Sequence, residues 1–236
     1  MPTRTGGYDC PFLALPLPEV TGTIVVGPLR EEAPTCKGVK VNVTAETATT
    51  TSDDVASNVS LILGEMGNTA SRIDYGQVSR LADEISGAER VFLAGAGRSG
   101  LVLRMAAMRL MHLGKTVHVA GDTTTPAINA GDLLIVASGS GTTSGVVKAA
   151  QTALSAGAQV AAITTNSSSP LAGLVHTVVV IPAAQKTDHG SDVSQQYSGS
   201  LFEQSLFLVT EAVFHALWGA TDEPAEQLWL RHANLE

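Results

Sequence analysis

Ser138 to Thr143, Ser-Gly-Ser-Gly-Thr-Thr, sets hydroxyls among glycines directly after the apolar run Asp132 to Ala137 and before the helix-like segment Val146 to Ser155. Backbone N–H groups, hydroxyls and a helix N-terminus can converge there on one anion, and the glycines let the backbone curl into such a nest. Ser138, Ser140, Thr142 and Thr143 supply the hydroxyls; a helix cap alone, with Thr142 or Thr143 at the N-cap, needs only one of them. The loop holds no lysine. The nucleotide-binding pattern G-x-x-x-x-G-K-[ST] sets a lysine on the β and γ phosphates and calls for a metal. The lysine-free loop instead suits one phosphate monoester on a small molecule.

Gly95-Ala-Gly-Arg-Ser-Gly100 is a G-x-G-x-x-G between a strand-like and a helix-like segment, and Asp122 follows about twenty residues later, as in the dinucleotide fingerprint. Nicotinamide binding is therefore a rival reading. Against it, a dinucleotide has no use for a second Ser/Gly/Thr loop, and Asp122 opens a Thr-Thr-Thr-Pro turn better suited to donating hydroxyls. In the phosphate reading Gly97, Arg98 and Ser99, with Thr123 and Thr124, hold the phosphate or the hydroxyls of its carrier.

Ser200-Leu-Phe-Glu203 precedes an apolar helical run, so it reads first as a capping box. Its second reading is a carboxylate at a helix start beside the ligand edge, a candidate general base. Among the six histidines, His112 ends a helix as a core or dipole-stabilised side chain, His118 and His215 read as packing, and His176 and His189 as solvated. His232 sits in the polar tail Arg231 to Glu236, free either to fold over a cleft or to remain an exposed terminus.

The elements that must position these groups follow from periodicity. Helix-like segments span 57 to 67, 74 to 86, 99 to 113, 146 to 155 and 200 to 218, with a short one at 224 to 231. Leu101, Met105, Met108 and His112 share one face of the third, and Gly114 stops it. Apolar strands fall at 90 to 94, 116 to 120, 132 to 137, 159 to 163 and 177 to 181. Continuously apolar strands alternating with helices imply an α/β three-layer sandwich, a parallel sheet covered on both faces. Ligands then sit beyond the carboxyl ends of the strands, where the unusual loops at 95 to 100, 121 to 126, 138 to 143 and 164 to 170 all fall.

Composition bounds the rest. The 236 residues carry 44% hydrophobic and 15% charged side chains, enough for one full core. A net charge of −8 with no basic run argues against a nucleic-acid surface, and no apolar run approaches the ~20 residues of a membrane span. Residues 1 to 56 read as a poorly ordered extension, with most of the prolines and a Thr-rich end, and without the pattern of a secretion signal. Cys10 and Cys36 both lie there, which leaves the core without cysteine-based metal sites and fits a reducing cytoplasm.

Taken together and in order, GAGRSG at 95 to 100, RLMHLG at 109 to 114, GDTTTP at 121 to 126, SGSGTT at 138 to 143, SLFEQ at 200 to 204 and RHANLE at 231 to 236 resemble the 6-phospho-3-hexuloisomerases of the sugar isomerase (SIS) family. The resemblance covers residues 57 to 236. It implies a five-stranded parallel sheet in flavodoxin-like order, a homodimer or homotetramer with sites near subunit contacts, no cofactor and no metal. It also implies interconversion of D-arabino-hex-3-ulose 6-phosphate and fructose 6-phosphate in the ribulose monophosphate pathway of formaldehyde fixation, beside 3-hexulose-6-phosphate synthase. Glu203 is then the expected base and His232 the expected proton shuttle, reaching the site from its own or from a neighbouring chain. The SIS family also contains arabinose-5-phosphate isomerases and catalytically silent sugar-phosphate sensors, and both remain alternatives.

Overall fold

The computed structural model describes residues 50–185 and 193–235. Residues 1–49, and with them most of the expected extension and both cysteines, lie outside the described residues, as does His189. The helical region begins earlier than residue 57: α1 spans Ser52–Ala70, with Asp53 and Asp54 in its first turn where the helix dipole favours negative charge. It is followed by α2 (Tyr75–Gly87), whose N-cap Asp74 accepts from the Gly76 amide at 2.9 Å.

Strands and helices then alternate: β1 (Val91–Gly95), α3 (Gly97–His112), β2 (Val117–Val119), β3 (Leu133–Ala137), α4 (Ser144–Ser155), β4 (Gln159–Thr164) and β5 (Thr177–Val180). The chain ends in α5 (Ser200–Gly219) and the short α6 (Ala225–Trp229). All strand pairs are parallel, in the order β2-β1-β3-β4-β5. The chain therefore reverses its direction of growth between β1 and β3, and in such sheets this switch point is where ligands bind.

Side chains alternate across the strands, so each face of the sheet must be covered. Val91, Leu93, Leu133 and Ile135 pack with α2, α3 and α5 in one cluster; Phe92, Ala94, Leu134 and Val136 pack with α4 in the other. The result is the expected three-layer α/β sandwich. At Gly114 (φ +83°) α3 stops in a Schellman turn, with Lys115 N–H on the Leu110 carbonyl and Gly114 N–H on that of Met111.

The apolar face of α3 is not its buried face. Of the stripe Leu101, Met105, Met108 and His112, only His112 is buried; the other three are 61%, 50% and 60% exposed. The inward face is Leu103, Ala106, Ala107 and Leu110. Small alanines allow the helix to lie close to its neighbours, so the bulkier residues mark the outer face.

Candidate active site

Three helices begin at the switch point. α3 starts after β1, α4 after β3, and α5 approaches the same edge, because the Phe202 ring would lie 3.3 Å from a β-carbon on Gly139. Each N-terminus presents amides without intrahelical acceptors and a positive dipole end. Their convergence gives the edge an anion-attracting field without lysine.

The cradle after β3 is braced from β4. The Gly139 carbonyl accepts from the Thr165 amide (3.0 Å), the Thr164 hydroxyl (3.0 Å) and the Thr165 hydroxyl (2.9 Å). Gly141 adopts φ +64°, and its amide closes a turn on the Ser138 carbonyl. A β-carbon there would stand 2.1 Å from Ser169 Oγ, so only glycine fits. The four hydroxyls pair across the loop, Ser138 with Thr143 and Ser140 with Thr142, both at 2.9 Å. Thr143 is the N-cap of α4 but caps no amide with its side chain. The loop thus holds its hydroxyls for one another rather than for the helix.

After β1, the G-x-G-x-x-G serves close packing. A β-carbon on Gly100 would meet the Gly95 carbonyl oxygen at 2.6 Å, whereas nothing lies within 4 Å in front of Gly97, which adopts φ +56°. Ser99 is buried in the first turn of α3. Arg98 reaches across to α5: Nη1 donates to the Ser200 hydroxyl at 3.2 Å, and Nε lies 2.9 Å from Glu203 Oε2 as an ion pair.

That crossing overturns the capping-box reading. The N-cap of α5 is Gly199, at φ +86°, and no side chain caps this end. Ser200 stands inside the helix with its hydroxyl engaged by Arg98, and the Glu203 amide bonds the Gly199 carbonyl. Long-range partners have displaced the local ones. Glu203, only 3% exposed, is thereby a buried carboxylate on the first turn of α5, beside an arginine.

Asp122 is occupied by Arg104 of α3, which grips both carboxylate oxygens at 2.6 and 3.3 Å. The acidic residue of the dinucleotide reading is thus held in a bidentate ion pair. Thr123 and Thr124 are exposed beyond β2, while the Thr125 hydroxyl donates to the Val119 carbonyl and shapes the turn.

His232 does not join these groups within its own chain. Arg231, paired with Glu223, donates to the His112 carbonyl at 2.8 Å, and the His232 ring stacks on His112 with centroids 4.0 Å apart. Trp229 closes the cluster at 4.6 Å. This is the C-terminal end of α3, a 16-residue helix that spans about 24 Å, so the tail docks at the end of the sheet opposite the cradle. Burial first, then the neighbouring His232 and Arg109, lowers the His112 pKa. The residues missed from sequence are the braces: Thr164, Thr165 and Ser169 sit in a loop already placed at the ligand edge, but Phe202 and Arg104 carried no local signal.

Known proteins resemble this chain in sequence and fold. A SIS domain model matches residues 84–208. The chain is 70% identical over 184 residues to a 3-hexulose-6-phosphate isomerase of Mycobacterium gastri, covering 78% of this chain and 92% of the relative. It is 40% identical over 179 residues to the 3-hexulose-6-phosphate isomerase of Bacillus subtilis, covering 75% and 97%. A crystal structure from Methanococcus jannaschii, of a hypothetical protein whose description infers a 3-hexulose-6-phosphate isomerase function, superposes with a TM-score of 0.66 at 26% identity, covering 76% of this chain and 99% of that one. The switch-point cradle, the strand order and a family match over more than half of its length agree: the chain belongs to the SIS domain family.

Proposed function

We propose that the protein is a sugar-phosphate isomerase that interconverts D-arabino-hex-3-ulose 6-phosphate and fructose 6-phosphate through a cis-enediol, without a cofactor. The observation that carries this reading is Glu203, a buried carboxylate ion-paired at the same sheet edge as the lysine-free cradle. The named relatives, 70% and 40% identical, supply the substrate.

In this reading the 6-phosphate enters the cradle. Its oxygens take the hydroxyl protons that Ser138, Ser140, Thr142 and Thr143 now share among themselves, together with first-turn amides of α4. Arg98, Ser99 and the open face at Gly97 hold the sugar, with Thr123 and Thr124 at the rim. Glu203 removes the C2 proton of the 3-ketose, the electrons form the C2=C3 enediolate, and Glu203 returns a proton to C3 on the same face. One base serves both transfers, and such catalysis contributes typically ~10²–10⁴-fold. The oxygens must also exchange a proton, O2 losing one as O3 gains one. His232 can do this only from a second copy of the chain.

A homodimer or homotetramer follows, and the exposed Leu101, Met105 and Met108 on α3 support it as a face for another copy. The reaction places the protein after 3-hexulose-6-phosphate synthase, in a cytoplasmic pathway of formaldehyde assimilation. Among the described residues, no helix is long and apolar enough to cross a membrane, and no cluster of metal-ligating side chains occurs.

The test is a coupled assay with synthase, ribulose 5-phosphate and formaldehyde, following fructose 6-phosphate. Product without added nucleotide is expected. Binding of the sugar phosphate without turnover would make the protein a sensor, and turnover only of arabinose 5-phosphate would move it to the aldose-ketose branch. His232→Gln should lower kcat without altering phosphate binding; unchanged kinetics would remove His232 from the site.

A further inference from the structure

α5 lacks the local cap its sequence announces, yet Glu203 stands on its first turn and needs a fixed direction. Its entry is held from α1. The Glu65 carboxylate accepts from the Ser194 hydroxyl (2.7 Å), the Gln195 amide (2.7 Å) and the Gln196 side-chain amide (2.9 Å). Gln196 Oε1 then accepts from Gln204 Nε2 at 2.7 Å, and Gln204 directly follows Glu203. The Ser200 amide closes on the Tyr197 carbonyl at 3.0 Å. A continuous hydrogen-bonded path therefore runs from α1, through the segment that leads into α5, to the neighbour of Glu203.

We propose that Glu65 is a positioning residue for Glu203: its carboxylate gathers residues 194–196 and, through Gln196 and Gln204, fixes the first turn of α5 so that the base faces the sugar. The inference rests on Glu203 being the base. All three groups on Glu65 are donors, so the site calls for an acceptor-only side chain. Burial alone would raise the Glu65 pKa, but these hydrogen bonds outweigh it and hold the group below the ordinary carboxylate value. A glutamine at 65 would turn an N–H₂ toward one of the donors. The cradle is braced from β4 instead, so phosphate binding is independent of this clamp.

The experiment is a double-mutant cycle of Glu65→Gln with Glu203→Gln, read as kcat and KM for fructose 6-phosphate. In the parent background Glu65→Gln should lower kcat about tenfold or more with KM held within about twofold. In the Glu203→Gln background the same change should leave the residual kcat within about twofold. An equal loss in both backgrounds, or a raised KM with kcat intact, would overturn the proposal and leave Glu65 as scaffold. Should Glu65→Gln not fold, Gln196→Ala, which cuts the path in a surface segment, is read in the same cycle with the same two outcomes. Retention of full kcat by Glu203→Gln alone would sink the assignment of the base, which is a different result from either.

Discussion

Gly141→Ala perturbs the cradle at the point where its backbone has least freedom. The residue adopts φ +64°, and an added β-carbon would lie 2.1 Å from Ser169 Oγ and 2.4 Å from Ser169 Cβ. Ser169 has no easy retreat: it is buried, and its hydroxyl accepts from the Ala172 amide at 3.2 Å. The left-handed conformation costs an alanine about 1–2 kcal/mol, and overpacking of this kind adds about 1–3 kcal/mol. At about 2–4 °C per kcal/mol for a domain of this size, the melting midpoint should fall by roughly 5–15 °C. Displacing one cradle donor from a charged phosphate costs about 1.5–3 kcal/mol, so KM should rise about tenfold or more. Calorimetry and the coupled assay read both quantities. Adding Ser169→Gly removes the two closest clashes and should recover part of the overpacking share, leaving the backbone cost and that of the lost Ala172 amide hydrogen bond. Gly145→Ala, with nothing within 4 Å of its added carbon, is the control and should change stability by no more than about 0.5 kcal/mol. Parental midpoint and KM in Gly141→Ala, or no relief from Ser169→Gly, would refute the reasoning.

Arg98→Lys should lower kcat about tenfold, because a single ammonium cannot serve Ser200 and Glu203 from a planar fork; steady-state kinetics check this, and parental kcat would contradict it. Asp122→Asn should change kcat and KM by less than about twofold, and a fluorescence titration with reduced nicotinamide dinucleotide should show no saturable binding; tight binding would restore the dinucleotide reading. His112, buried against His232 and Arg109, has its pKa lowered from the ordinary 6.5, so the folded state favours the neutral ring. The stability this gives is fully present above pH 6.5 and is lost as pH falls through the lower folded value. Thermal midpoints measured from about pH 7 to 5 should therefore decline less steeply in His112→Gln than in the parent.

How much of this was legible in the sequence depends on whether each signal was local. The strands and most helix limits follow from short apolar runs and from turn residues such as Gly114, whose Schellman turn is written within six residues. The tight loop after β3 was equally legible, since glycines set among Ser and Thr announce a turn that only glycine can make, as Gly141 does at φ +64°. Ser200 and Glu203 misled because the capping box is a local pattern, whereas the partner that wins is Arg98, about a hundred residues away. The α3 stripe shows periodicity without burial. Periodicity finds large apolar residues, but close packing on the inner face selected Ala106 and Ala107 and left Met105 and Met108 outside. The tail was legible as mobile or docked but not where: Arg231 meets Glu223 and the His112 carbonyl at the end of the sheet away from the cradle.

The central claim is that Glu203 carries the proton between C2 and C3. Nuclear magnetic resonance of fructose 6-phosphate in deuterated water follows it directly. Active protein should wash deuterium into C3, and Glu203→Gln should still bind the sugar phosphate while exchanging C3 at least about a hundredfold more slowly. C3 exchange by Glu203→Gln at the parental rate would contradict the account.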